Sequence, residues 1–117
     1  IVHDVKKWGN GFGPMGAWIR GIFGTDLARW QAYDPTTLAK QLDKATAPAL
    51  YLDCGTEDEF LLQHGMQYLH DILLERGIEH AYYIGPGRHD FEFWSPRAKH
   101  SLEFLRSKAV RPSARAQ

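Results

Sequence analysis

The chain has 117 residues, 44% hydrophobic and 24% charged, with 14 basic and 14 acidic side chains that cancel to zero net charge. That length suits one domain, and the balance supplies neither a basic block for nucleic acid nor a charge asymmetry for a membrane surface. The single cysteine, Cys54, excludes an intrachain disulfide and fits a reducing, cytoplasmic setting, and no apolar run reaches the roughly 20 residues of a membrane span.

Residues 1–30 are rich in glycine and tryptophan and poor in periodicity, so they read as loop with a short helix near Met15–Phe23. Asp34-Pro35 is a helix start, with Asp34 as cap and Pro35 at the first position. Leu38, Leu42 and Ala45 then form one apolar face, and Pro48 ends the helix. Ala49–Cys54 reads as a buried strand. A helix is expected from about Phe60 to Arg76, with Leu62, Met66, Leu69 and Leu73 on one face and Gly77 as its stop. Ile78–Ile84 is the second strand, broken by Gly85-Pro86-Gly87. Ser95 and Pro96 look like the start of a last helix whose buried stripe is Ala98, Leu102, Leu105 and Ala109. Residues 1–110 are expected to form the folded part and 111–117 a disordered tail.

Strand, helix, strand, helix from residue 49 implies an α/β fold with two parallel strands in one sheet. Two strands are too few for a parallel sheet, which needs neighbours and cover on both faces. The expectation is therefore the edge of a larger sheet, and a chain beginning at Ile1 reads as a piece of something longer.

The chemistry concentrates on two strand-end loops, the places where α/β proteins hold their sites. Tyr51-Leu-Asp-Cys-Gly-Thr-Glu-Asp58 ends in an acid, and Gly85-Pro-Gly-Arg-His89 ends in a histidine. A carboxylate bonded to Nδ1 fixes the tautomer and orientation of an imidazole that takes a proton at Nε2. Nucleophile, acid, histidine is the chain order of α/β-hydrolases, and Asp58 and His89 fit the last two places. The plainer alternative makes Asp58 a helix start, with Thr56 and Glu59 at capping-box spacing, and His89 a turn residue. Asp53, nearer the strand end, is the second candidate acid, and Asp90 is expected to stabilise the His89 loop.

Other motifs weigh less. Gly11-Phe-Gly13-Pro-Met-Gly16 matches a dinucleotide fingerprint in letters but lacks a preceding strand and has Pro14 within the turn. His64, His70, His80 and His100 show no acid partners at ligand spacing, so no metal is expected; His64, His70 and His100 read as exposed on helices.

Three segments together resemble the esterase D-like branch of the α/β-hydrolases, which includes S-formylglutathione hydrolases, tributyrin-type esterases and feruloyl esterases. They are Phe23-Gly-Thr-Asp-Leu-Ala-Arg-Trp30-Gln-Ala-Tyr33-Asp34, Leu52-Asp-Cys-Gly-Thr-Glu-Asp58-Glu-Phe60-Leu61 and Pro86-Gly87-Arg-His89-Asp-Phe-Glu-Phe-Trp94. The resemblance covers about residues 20–106. It implies that Asp58, in Gly-Thr-x-Asp, is a triad acid, and that His89, in Pro-Gly-x-His, is the triad base. It also implies that the early segment shapes an acyl pocket, with Trp8 and Trp18 as candidate lining residues. The first segment is similar to S-formylglutathione hydrolases and the His89 surroundings to general esterases, which leaves the acyl and leaving groups open.

The departure is the nucleophile. No Gly-x-Ser-x-Gly elbow occurs, and Ser95, Ser101, Ser107 and Ser113 all follow His89. The resemblance therefore implies the C-terminal portion of an α/β-hydrolase fold. The parent enzyme would be a carboxylic ester or thioester hydrolase with its serine upstream or on a partner chain. Such an enzyme needs no cofactor and acts on a small acyl ester or thioester. Its partners would be the N-terminal part of the same enzyme or a second copy. The alternative is a catalytically inert fragment or module that pairs with another chain through its exposed sheet edge.

Overall fold

A computed structural model describes residues 13–109. In chain order the elements are α1 (Gly13–Phe23), α2 (Leu27–Gln31), α3 (Pro35–Ala39), β1 (Leu50–Gly55), α4 (Leu62–Glu75), β2 (His80–Gly85) and α5 (Phe91–Lys108). The fold is mixed α/β. The two strands pair in parallel, in register from Leu50 opposite His80 to Gly55 opposite Gly85, and α4 makes the crossover.

Side chains alternate across a strand, and here the alternation divides the sheet between two helices. Leu50, Leu52 and Tyr82 face the core built with α4, while Tyr51 packs on Phe104 of α5 with ring centroids 5.5 Å apart. Ala39, Leu52, Leu69, Ile72, Leu73 and Ile78 form that core, with Leu73 fully buried. Three of the four residues expected on the inner face of α4 reach it: Leu69 and Leu73 are buried, and Met66 packs against the cluster from its margin.

Gly77 ends α4 as expected, and the hydrogen bonds show how. Gly77 adopts φ +64°, its N–H donates to the Leu74 carbonyl at 2.9 Å, and the Ile78 N–H donates to the Leu73 carbonyl at 2.9 Å. This paired stop satisfies two end carbonyls and folds Ile78 back onto Leu73 in the core. Ile78 is consumed by that stop, so β2 begins at His80 rather than Ile78.

Asp34 caps α3, with Pro35 at its first turn. The Asp34 carboxylate accepts the Thr37 N–H at 2.9 Å and the hydroxyls of Thr36 and Thr37. Burial alone would raise this carboxyl; the hydrogen bonds from Thr36 and Thr37 outweigh it and hold the group well below its ordinary value. The helix is shorter than expected. Asp43 takes the Ala45 N–H on its side chain at 2.9 Å and the Thr46 N–H on its carbonyl at 3.2 Å, diverting backbone groups from the helical ladder. Of the expected apolar face, Leu38 and Ala45 are exposed and Leu42 packs at the margin of the core; Ala39 is the inward apolar residue of the helix.

Two corrections concern the ends of the described chain. The early segment holds a second helix, α2, capped by Asp26, which accepts the Ala28 N–H at 2.9 Å. Trp30 on α2 is buried; its Nε1 donates to the Gly24 carbonyl at 2.9 Å, and its ring packs on Phe23. The last helix starts at Phe91, not Ser95, because Asp90 accepts the Phe93 N–H at 3.1 Å and opens the helix earlier. Pro96 thus sits inside α5, where it forgoes one ladder bond. The expected buried stripe of α5 is not buried: Leu102 is 65% and Leu105 58% exposed, and Ala98 and Ala109 are exposed.

Candidate active site

The strand ladder does not stop at the strand ends. The Thr56 N–H donates to the Gly85 carbonyl at 2.8 Å and the Glu57 N–H to the Gly87 carbonyl at 2.9 Å, so the two loops remain zipped beyond the sheet. Glycine makes this approach feasible. A Cβ on Gly55 would lie 2.1 Å from the Gly87 carbonyl oxygen, and one on Gly87, at φ +142°, would lie 2.4 Å from Cδ2 of Phe93. The acid loop, the histidine loop and the first turn of α5 are thereby locked together.

That lock brings Asp58 and His89 into contact. Asp58 Oδ2 lies 2.9 Å from His89 Nδ1, and the Asp58 side chain is 2% exposed. A buried carboxylate demands donors. Asp58 Oδ1 accepts the Phe60 N–H at 2.9 Å, and the Cys54 thiol approaches Oδ2 at 3.7 Å. With Nδ1 carrying its proton toward Asp58, Nε2 is left as the basic nitrogen. No described residue hydrogen-bonds Nε2, and the His89 side chain is 35% exposed.

The imidazole is also held by shape. Phe60 meets it edge-on with centroids 5.1 Å apart, and Trp94 meets it edge-on at 4.9 Å. Glu59 completes the loop contacts: its carboxylate accepts the His89 N–H at 3.1 Å and pairs with Arg88. Its own N–H, then the His89 N–H and the Arg88 guanidinium, hold the Glu59 carboxyl below its ordinary value. Thr56 and Glu59 therefore do not form a capping box; the residue before α4 is Leu61, with no side-chain cap.

Asp53, the second candidate acid, is committed elsewhere. Its Oδ2 lies 3.2 Å from Arg97 Nε, while Arg97 also donates to Tyr51 Oη at 2.8 Å and stacks on Tyr83 at 3.5 Å. This cluster fastens α5 to the sheet face opposite α4. Burial, and then the charge of Asp58, push the Cys54 thiol up to about 11, so it stays protonated near neutral pH and acts as a donor rather than a nucleophile.

The remaining expected residues lie apart from this pair. Trp18 is on α1, 68% exposed; Trp8 lies outside the described residues. Gly13 and Pro14 open α1, so the described part of the fingerprint-like run is helix rather than a loop following a strand. Asp90 caps α5, beside His89. Ser101 and Ser107 bond carbonyls of their own helix, at Ala98 and Phe104. Among the described residues no cluster could hold a metal ion, and no helix is long and apolar enough to cross a membrane.

His70 departs from expectation: it is half-buried, with Nδ1 2.7 Å from His80 Nε2, and it stacks on Tyr82 at 3.8 Å. The supports that sequence reasoning did not assign are Phe60, Trp94, Glu59 and Arg88. They stand beside Asp58 and His89 in the very segments that carry the resemblance, which was the signal to find them.

No family model matches the chain. An acetyl esterase of Caldicellulosiruptor saccharolyticus is 32% identical to it over 114 residues, an alignment that takes in 90% of this chain and 41% of that protein. The chain thus spans less than half the length of the curated relative it matches, and what it is similar to is an esterase-type hydrolase.

Proposed function

We propose that this chain is the C-terminal part of an α/β-hydrolase and supplies the acid and histidine of a serine-type carboxylic ester or thioester hydrolase. The observation that carries the proposal is the 2.9 Å contact between buried Asp58 Oδ2 and His89 Nδ1, with the imidazole itself 35% exposed. The similarity to an acetyl esterase supports the reaction class, and the uncovered helix faces and two-stranded sheet support the larger parent fold. The esterase D-like branch is part of the same proposal.

In this reading a serine upstream of the chain attacks the ester carbonyl carbon, and its proton passes to His89 Nε2. The tetrahedral adduct collapses as the bond to the alcohol oxygen breaks. That oxygen keeps the electron pair and takes the proton from Nε2. Water then attacks the acyl-serine, again giving its proton to Nε2, and serine regains that proton as the carboxylic acid leaves. Asp58 holds Nδ1–H throughout and stabilises the transient imidazolium.

The test is His89→Ala in the full-length protein with a p-nitrophenyl ester. Turnover should fall roughly 10³-fold or more; wild-type turnover would remove His89 from the reaction. The second reading, a catalytically inert module that pairs with another chain, is favoured by one feature: no serine of the chain precedes the acid. Intact mass and the coding sequence upstream of Ile1 separate the two.

A further inference from the structure

The His89 imidazole is partly exposed and is flanked by the aromatic rings of Phe60 and Trp94. Trp94 stands edge-on to the imidazole and is 38% exposed, and Phe91 packs edge-on against Trp94, with centroids 5.5 Å apart, while remaining 80% exposed. Leu61, exposed as well, follows Phe60 directly and is held at φ +57°, a backbone conformation that non-glycine residues seldom adopt and that clusters at functional sites. Exposed aromatic rings beside a hydrogen-bonding group are residue types that a ligand ring can pack on.

Chemistry decides which part of the substrate meets those rings. This step rests on the esterase reading above. A general acid must stand within hydrogen-bond reach of the oxygen it protonates, so His89 Nε2 touches the alcohol oxygen as the carbon–oxygen bond breaks. Whatever borders His89 then borders the group attached to that oxygen. The acyl chain extends from the carbonyl carbon in another direction.

We infer that Trp94 and Phe91 form the leaving-group subsite, and that the enzyme favours esters of aromatic or bulky apolar alcohols over esters of small polar ones. Trp94 contacts the leaving group next to the oxygen and Phe91 contacts its distal part. Their edge-to-face arrangement leaves ring surface open for another ring.

The experiment compares benzyl acetate with ethyl acetate, which share an acyl group, in the full-length protein and its Phe91→Ala variant. Wild type should show a benzyl-to-ethyl ratio of kcat/KM of roughly ten or more, and Phe91→Ala should lower that ratio roughly fivefold. An unchanged ratio, whatever the absolute rate, would overturn the inference and mean that another segment covers Phe91. A companion pair, benzyl acetate and benzyl butyrate, checks the side of the site; a shift in that acyl ratio instead would place Phe91 on the acyl side and also overturn it. Trp94→Leu should lower the benzyl-to-ethyl ratio as well, and lower kcat for both esters because Trp94 also braces His89. A wild-type protein inactive on every ester would defeat the esterase reading itself, whereas an active enzyme with unmoved ratios defeats the leaving-group assignment alone.

Discussion

The two ends of α5 differ sharply. Its first turn is held at three points, as Asp90 caps it, Phe93 lies buried against Gly87 and Trp94 braces His89, while Phe91 stands out in solvent. Its later turns carry Leu102 and Leu105 into solvent, and the one aromatic they press on the sheet is Phe104, against Tyr51. The C-terminal ends of the strands are tied by backbone bonds, a buried carboxylate and a salt bridge, while large apolar side chains stand exposed both beside them, at Leu61 and Phe91, and along the later turns of α5. Order at a loop tip costs conformational entropy, and the bonds between these two loops offset that cost and fix Asp58 and His89 relative to each other.

The largest expected effect tests the acid. In the full-length protein of the proposed esterase, Asp58→Asn keeps the shape but removes the charge facing His89 Nδ1, and kcat should drop by about 10⁴-fold. Asp53→Asn should alter turnover far less, because Asp53 serves the Arg97 clamp rather than the imidazole. Steady-state kinetics on both variants decides the matter, and the reverse order of losses would move the acid to Asp53.

The next comparison sets the buried core against the open helix. Leu73→Ala should destabilise the chain by about 2–5 kcal/mol, since Leu73 is fully buried. Leu105→Ala in the same isolated chain should change stability by less than about 0.5 kcal/mol, as exposed positions do. Urea titration of both measures the gap. If Leu105→Ala becomes costly only in the full-length protein, that face is covered there.

The smallest effect is at Cys54. Its thiol, raised from 9.0 to about 11, binds its proton more tightly in the folded chain than in the unfolded one. The stability this adds is fully present below about pH 9 and is lost as pH rises toward 11. Alkylation by iodoacetamide at pH 8 should be much slower for the folded chain than in denaturant. Equal rates would show an exposed thiol and open the region behind Asp58.

Elements with strong local signals were legible in the sequence. Asp34-Pro35, the 3.6-residue apolar repeat of α4 and the Gly77 stop all state their roles through residues close in the chain. The start of α5 was not legible, because Ser95-Pro96 carries a stronger start signal in letters than Asp90 does. The packing of Phe93 and Trp94 onto the histidine loop favours the earlier start. The ends of β2 and α3 shifted for similar reasons, as the stop at Gly77 took Ile78 and Asp43 diverted the backbone after Ala39.

By itself the sequence determined two parallel strands joined by a helix, and an acid and a histidine on the loops that follow them. Residue type and spacing suffice for that, since periodicity, caps and stops act within a few residues. Only the tertiary structure decided which acid meets His89. Asp53 and Asp58 lie five positions apart, but the strand's alternation turns Asp53 toward Arg97 on the α5 face. The zipped loops carry Asp58 to Nδ1 across thirty-one residues of chain.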